Sequence, residues 1–144
     1  MQVMFKVYGQ PTGKERPRFS KKNGVAYTPK ETVNYENLVR MEYTRQCEGR
    51  RFPDDAMLDL RIKAYYSIPK SASKKKREQM ILGIIRPIKK PDMDNVIKVI
   101  ADSLNQIAYR DDTQIVDCQC RKFYSEQPRV EIKIRQIGGN ENGN

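Results

Sequence analysis

The sequence predicts an α+β fold, a small single-domain two-layer sandwich in which a mixed β-sheet packs with two to three helices. Three observations predict it. Four stretches alternate apolar and polar residues with the period of a strand, and two or three others repeat at helical spacing. The chain has 144 residues, enough for one hydrophobic core and too few for two comfortable ones.

The elements follow in order. Val3, Phe5 and Val7 alternate with Met4, Lys6 and Tyr8, which is a strand pattern. Gly9 to Asn23 reads as a basic loop, punctuated by Pro11, Gly13 and Pro17. Thr28-Pro29-Lys30-Glu31 reads as a helix start, with Thr28 as cap, Pro29 in the first helical position and Glu31 completing a capping box. Tyr35, Leu38, Val39 and Cys47 then fall near one face, and Gly49 stops the helix. Leu58, Leu60, Ile62, Ala64 and Tyr66 alternate with Asp59, Arg61, Lys63 and Tyr65, the clearest strand of the chain. A short polar helix is expected from Ser71 to about Leu82, followed by an extended Pro87–Pro91 stretch.

Met93, Val96, Ile97, Ile100, Leu104 and Ile107 have the spacing of a helix running from Asp92 to about Ala108. Val116, Cys118 and Cys120 alternate with polar neighbours, as do Val130, Ile132 and Ile134, and each set predicts a strand. Residues 1–137 are expected to form the domain, and the Gly/Asn-rich residues 138–144 a disordered tail.

The composition excludes much chemistry. Without histidine there is no Ser–His–Asp triad, no histidine general base and no Cys/His zinc finger. Three cysteines make a poor disulfide framework, so a reducing cytoplasm is the expected location. No apolar run approaches the ~20 residues of a membrane span, and no signal-type segment follows Met1, so no membrane partner is expected.

The net charge is +10, which suggests a polyanionic partner, and it is unevenly spread. Residues 1–35 carry +5 and residues 70–90 carry +7, whereas residues 91–117 carry −4. Lys14, Arg16 and Arg18 in the first basic segment are candidates for DNA phosphate contacts, as are Lys74, Lys75, Lys76, Arg77, Lys89 and Lys90 in the second. Clustered carboxylates would repel the same ligand unless a divalent cation neutralised them and bridged to phosphate.

The acidic segment contains Asp92-Met93-Asp94-Asn95, then Lys98, Asp102, Asn105, Asp111 and Asp112. Asp92 occupies a helix N-cap position and Asp94 the first turn, both at the positive end of the helix dipole, with Met93 between them pointing to the core. Asp94, Lys98 and Asp102 share one helix face, where an i,i+4 salt-bridge ladder is the purely structural alternative. A helix from Asp92 to Ala108 spans roughly 25 Å, so Asp112 reaches the other two carboxylates only if the chain comes back along the helix. Carboxylates without histidine select a hard cation, Mg²⁺ or Mn²⁺. Such an ion polarises a phosphodiester and lowers the pKa of a bound water, and a nearby ammonium, best supplied by Lys98, offsets charge in the transition state.

These residues resemble a known family. Lys90-Pro-Asp-Met-Asp-Asn95, then Lys98, Asp102, Leu104-Asn105 and Asp111-Asp112-Thr-Gln114-Ile115, is similar to the RusA-type Holliday junction resolvases of bacteria and their prophages. Lys14 to Phe19, Tyr27-Thr28-Pro29, Pro69-Lys70 and Lys74 to Arg77 resemble that family's basic segments, and the likeness covers about residues 3 to 135. It implies a homodimeric, Mg²⁺-dependent endonuclease of recombination and repair that nicks four-way DNA junctions symmetrically. Its essential aspartates carry over onto Asp92, Asp94 and Asp112, which would hold the metal, and its essential lysine onto Lys98. Asn95, Asp102 and Asp111 match supporting positions. Glu15 departs from the pattern, standing where relatives often have glycine.

Two other functions compete: a non-catalytic branched-DNA-binding protein, and a nuclease for another DNA or RNA structure. Gly9-Gln-Pro-Thr-Gly13-Lys14 is one residue short of a phosphate loop and is followed by Glu15, so no nucleotide cofactor is expected. Cys118 and Cys120 are expected to pack as buried apolar groups, and Tyr65, Tyr66, Tyr109 and Tyr124 to serve core or cross-strand packing.

Overall fold

The computed structural model describes residues 1–138, and the expectation for the rest of the tail lies outside them. Its secondary structure begins with β1 (Gln2–Tyr8), the short pair β2 (Arg18–Phe19) and β3 (Ala26–Tyr27), and α1 (Lys30–Gln46). There follow β4 (Met57–Ser67), α2 (Lys74–Ile81) and α3 (Met93–Ser103). A 3-10 turn at Asp112–Gln114 leads into β5 (Ile115–Ser125), and β6 is Arg129–Ile137. The fold is α+β, with one mixed four-stranded sheet in the order β1-β6-β4-β5. β6 runs antiparallel to both β1 and β4, whereas β4 and β5 are parallel. Parallel neighbours need a long crossover, and here α2 and α3 lie within it. Among the described residues no helix is long and apolar enough to cross a membrane.

The alternation of apolar residues sets the layers. Val3, Phe5 and Val7, Leu58 to Tyr66 at every second position, and Val130, Ile132 and Ile134 are all buried on one face of the sheet. Tyr35, Val39 and Tyr43 of α1 and Val96, Val99 and Ile100 of α3 pack with them in one continuous core. Tyr43 sits edge-on to Phe5 with ring centroids 5.3 Å apart, joining α1 to β1.

Several expectations are corrected. The first helix starts one residue later than its sequence signature: Pro29 keeps ψ at 142° and occupies the N-cap itself, so Thr28 caps nothing. The helix ends at Gln46, and the chain leaves it through two left-handed residues, Glu48 at φ +57° and the expected Gly49 at φ +64°. The polar helix starts at Lys74, where the Ser73 hydroxyl accepts from the Lys76 N–H. Residues 18–27, read mostly as loop, contain the β2–β3 hairpin. Met93 is 41 % exposed, because side chains tilt toward a helix's N-terminus and the first one projects past its start. Cys118 is exposed and Cys120 only half-buried, because β5 is an edge strand whose first half is poorly covered. Tyr66 and Tyr109 are buried, and Tyr65 stacks on Phe123 across the β4–β5 pair at 5.5 Å.

The largest correction concerns α3. Its helical hydrogen bonding stops at Ser103, not near Ala108, so the helix is 11 residues and about 16 Å long. Gln106 takes φ +67°, its N–H donates to the Tyr109 carbonyl at 2.8 Å, and residues 105 and 109 form an isolated bridge. The buried Tyr109 hydroxyl donates to the Ala101 carbonyl at 2.6 Å, pinning the reversed chain against the helix. The chain therefore turns back at once and brings Asp112 alongside the end of α3.

Candidate active site at the two ends of helix α3

The N-terminal end of α3 is built around Asp92 and Asp94. Asp92 is the N-cap residue, but its side chain makes no capping bond. Its carboxylate instead accepts from the Asn95 side-chain amide at 2.6 Å. The carbonyl just before it, on Pro91, accepts from the buried Tyr66 hydroxyl, which anchors the helix start to the C-terminal end of β4. Both aspartates are exposed and line an open cleft with Lys90, Asn95 and the loop 11–16, including Arg16. The loop is held there by the Lys14 N–H, which donates to the Asn95 carbonyl at 3.0 Å. Gly13 makes this approach possible, since a Cβ at that position would lie 2.8 Å from Pro91 Cβ and 3.1 Å from Asn95 Cβ.

At the other end, Asp102 and Asp112 are half-buried. The Asp112 N–H donates to the Asn105 side chain at 2.8 Å, which fixes its place beside the helix end. Burial pushes the Asp112 carboxyl above its usual range, and the adjacent Asp111 and Asp102 charges add to the effect. Asp111 behaves differently. It accepts from the side chain and N–H of Thr113, which lower its pKa, and it forms a capping box with Gln114. Gln114 in turn donates to the carbonyls of Pro53 and Ala56, each at 3.0 Å. The D-D-x-Q signature thus divides: Asp111 and Gln114 close the turn, and Asp112 is the carboxylate turned toward α3.

Two lysines stand near these carboxylates, one engaged and one not. Lys14 reaches from the loop to within 3.0 Å of Glu36 and 3.6 Å of Asp102. Glu36 is buried on the core-facing side of α1, and the sequence reading missed it. The signal was there, as an acidic residue at the spacing of Thr32, Tyr35, Val39 and Tyr43. Lys98 is exposed, and among the described residues no carboxylate lies within 4.0 Å of its ammonium. The structural alternative, a salt-bridge ladder through Lys98, is therefore not formed, and Lys98 stands unpaired among the described residues, midway along α3.

The other predicted cations lie elsewhere. Lys74, Lys75 and Lys76 are exposed on α2, which packs beside β5, and Arg77 approaches Glu126 at 3.7 Å. Lys89 is exposed near the Tyr124 ring, and Arg18 pairs with Glu15 at 3.3 Å. Among the described residues no three carboxylates or thiols stand close enough to hold a metal ion together. The donor chemistry still fits Mg²⁺, which commonly binds through one or two carboxylates plus substrate phosphates and retained waters. Exposed oxygens in a cleft that also presents Arg16 and Lys90 meet that requirement.

The family model "Endodeoxyribonuclease RusA" matches residues 8–135, which include both ends of α3 and the basic loop. The chain is 38% identical over 139 residues to the "Uncharacterized protein YqaN" of Bacillus subtilis (strain 168), covering 94% of this chain and 96% of that one. It is 26% identical over 136 residues to the "Crossover junction endodeoxyribonuclease rusA" of Lactococcus phage r1t, covering 92% and 95%. The chain belongs to the RusA endodeoxyribonuclease family.

Proposed function

We propose that the protein is a Mg²⁺-dependent endonuclease that resolves four-way DNA junctions by paired, symmetric nicks in recombination and repair, acting as a homodimer. The observation that carries this reading is the cleft in which exposed Asp92 and Asp94 face Arg16 and Lys90. Cations hold a phosphate there, and carboxylates beside them make sense with a divalent cation between the two. A four-way junction has two-fold symmetry, and two matched cuts are most simply made by a C2 dimer.

Asp92 and Asp94 would hold the ion with phosphate oxygens and waters, while Asp112, placed by the sequence reading in the same site, stands at the far end of the helix, too distant to share that ion within one chain. Bound Mg²⁺ supplies Lewis-acid polarisation of the phosphodiester and a water of lowered pKa. Asn95 fixes the Asp92 carboxylate by donating to one of its oxygens. Arg16 and Lys90 position the scissile strand through its phosphates. Lys98, with no carboxylate partner among the described residues, is available to offset charge on the pentacovalent phosphorus. The expected product is a nick with 5′-phosphate and 3′-hydroxyl ends.

The test is incubation with a synthetic four-way junction and a matched linear duplex, in Mg²⁺ and in EDTA. The reading expects junction cleavage in Mg²⁺ only, lost in Asp92→Asn with binding kept. Binding without cleavage would favour a non-catalytic branched-DNA-binding protein. Equal cutting of duplex would give a nuclease of another substrate.

A further inference from the structure

The β2–β3 hairpin leaves the catalytic cleft two residues after Arg16 and returns at α1. Its tip is self-contained. The Ser20 N–H donates to the Val25 carbonyl at 3.0 Å, the Gly24 N–H donates to the Ser20 carbonyl at 2.9 Å, and Gly24 takes φ +67°. On this small frame Phe19 is 72 % exposed, Val25 58 % and Tyr27 48 %. Phe5 and Phe52, by contrast, are buried. Register explains the openness of Phe19, because its cross-strand partner is Ala26, which offers only a methyl group. Lys21 and Lys22 line one hollow with Phe19, Val25 and Tyr27, Arg18 lies opposite Tyr27, and Arg16 precedes the hairpin; Glu15, paired with Arg18, is the one acidic residue in the segment 15–27.

An apolar, aromatic tip rimmed by cations fits neither the core nor bulk water. It fits a ligand with flat apolar faces on an anionic backbone. We propose that the hairpin is a base-contacting wedge, in which Phe19 stacks on nucleobases exposed where DNA strands part while Arg16 and Arg18 hold the flanking phosphates. The rim's excess of cations favours nucleic acid over a second copy of the same positive hairpin. The wedge deepens the nuclease reading and rests on it only for its place beside the cleft. The base contact itself needs no cleavage.

The experiment therefore runs in EDTA. Junctions carrying 2-aminopurine at the branch point, and a matched duplex, are titrated with wild type, Phe19→Ser and Phe19→Trp. Wild type should change the 2-aminopurine fluorescence. Phe19→Ser should lose that change and about tenfold in junction affinity, with duplex affinity and salt slope unaltered. Phe19→Trp should restore both. Phe19 supports no packing, so the variants should melt with wild type. Wild-type behaviour of Phe19→Ser overturns the wedge. So does a changed sedimentation coefficient in Phe19→Ser, which would give the ring to a second copy. A protein that shows the fluorescence change yet never cuts in Mg²⁺ keeps the wedge and loses the nuclease, and one that cuts while Phe19→Ser matches wild type does the reverse.

Discussion

The two ends of α3 carry similar residues in opposite circumstances. At the first turn, Asp92 and Asp94 are exposed, with Asn95 as the one close side-chain partner of Asp92. At the last turn, Asp102 and Asp112 are half-buried and crowded, with Lys14 near Asp102 and Asp111 committed to a cap. A carboxylate left free in a cleft beside Arg16 and Lys90 is ready to take up a cation and a phosphate. A carboxylate already engaged by its own fold contributes to structure before it contributes to chemistry. Substitutions at the two ends should therefore separate activity from stability.

The largest effect is expected at the free end. Asp94→Asn should lower Mg²⁺-dependent junction cleavage on the order of 10²–10³-fold, as single charge-stabilising groups do, with the melting temperature nearly unchanged. A large fall in melting temperature would erase the contrast. Lys98→Ala should cost about 10²-fold in cleavage while junction binding by gel shift persists. Loss of binding in proportion would make Lys98 a phosphate anchor.

Lys14→Ala belongs to the engaged end. It strands the buried Glu36 carboxylate and should cost about 2–3 kcal/mol of unfolding free energy, read by urea denaturation. No change in midpoint would mean that Glu36 is solvated in practice.

Asp112 gives a smaller effect whose sign matters. Its folded pKa is raised, so the folded protein holds its proton more tightly than the unfolded chain does. The stability from this group is present at low pH and lost as pH rises through the folded value. Asp112→Asn should therefore melt slightly higher than wild type at pH 7, with the difference fading below the usual carboxylate range. A lower melting temperature at pH 7 would show that Asp112 already has a compensating partner. Smallest is Arg16→Ala, which should reduce the slope of log affinity against log salt by about one unit.

The free end was more legible in the sequence than the engaged one. Asp92-Met-Asp94-Asn95 follows a proline and opens an apolar helical repeat, so local rules place both carboxylates at a helix start. The four-strand alternation likewise produces the sheet. The far end depends on tertiary contacts. Helical spacing continues through Ile107, yet the Tyr109 hydroxyl and the left-handed Gln106 end the helix early, and no periodicity encodes that. That early stop brings Asp112 back beside Asp102 at the C-terminal end of α3, and no further toward Asp92 and Asp94. Gly13 resembled a failed phosphate loop, and its reason is the close approach of Pro91 and Asn95, eighty residues on in the chain. The exposure of Cys118 follows from strand order, which alternation leaves open.

The central claim is that a divalent cation is held at the N-terminal end of α3 together with DNA phosphate. Mn²⁺ titration followed by electron paramagnetic resonance, on the junction-bound protein, tests it most directly. The account predicts bound Mn²⁺ with wild type, and with the Asp92→Asn/Asp94→Asn double variant only free Mn²⁺ despite unimpaired junction binding. Equal Mn²⁺ binding by the double variant would contradict it and move the ion away from this end of the helix.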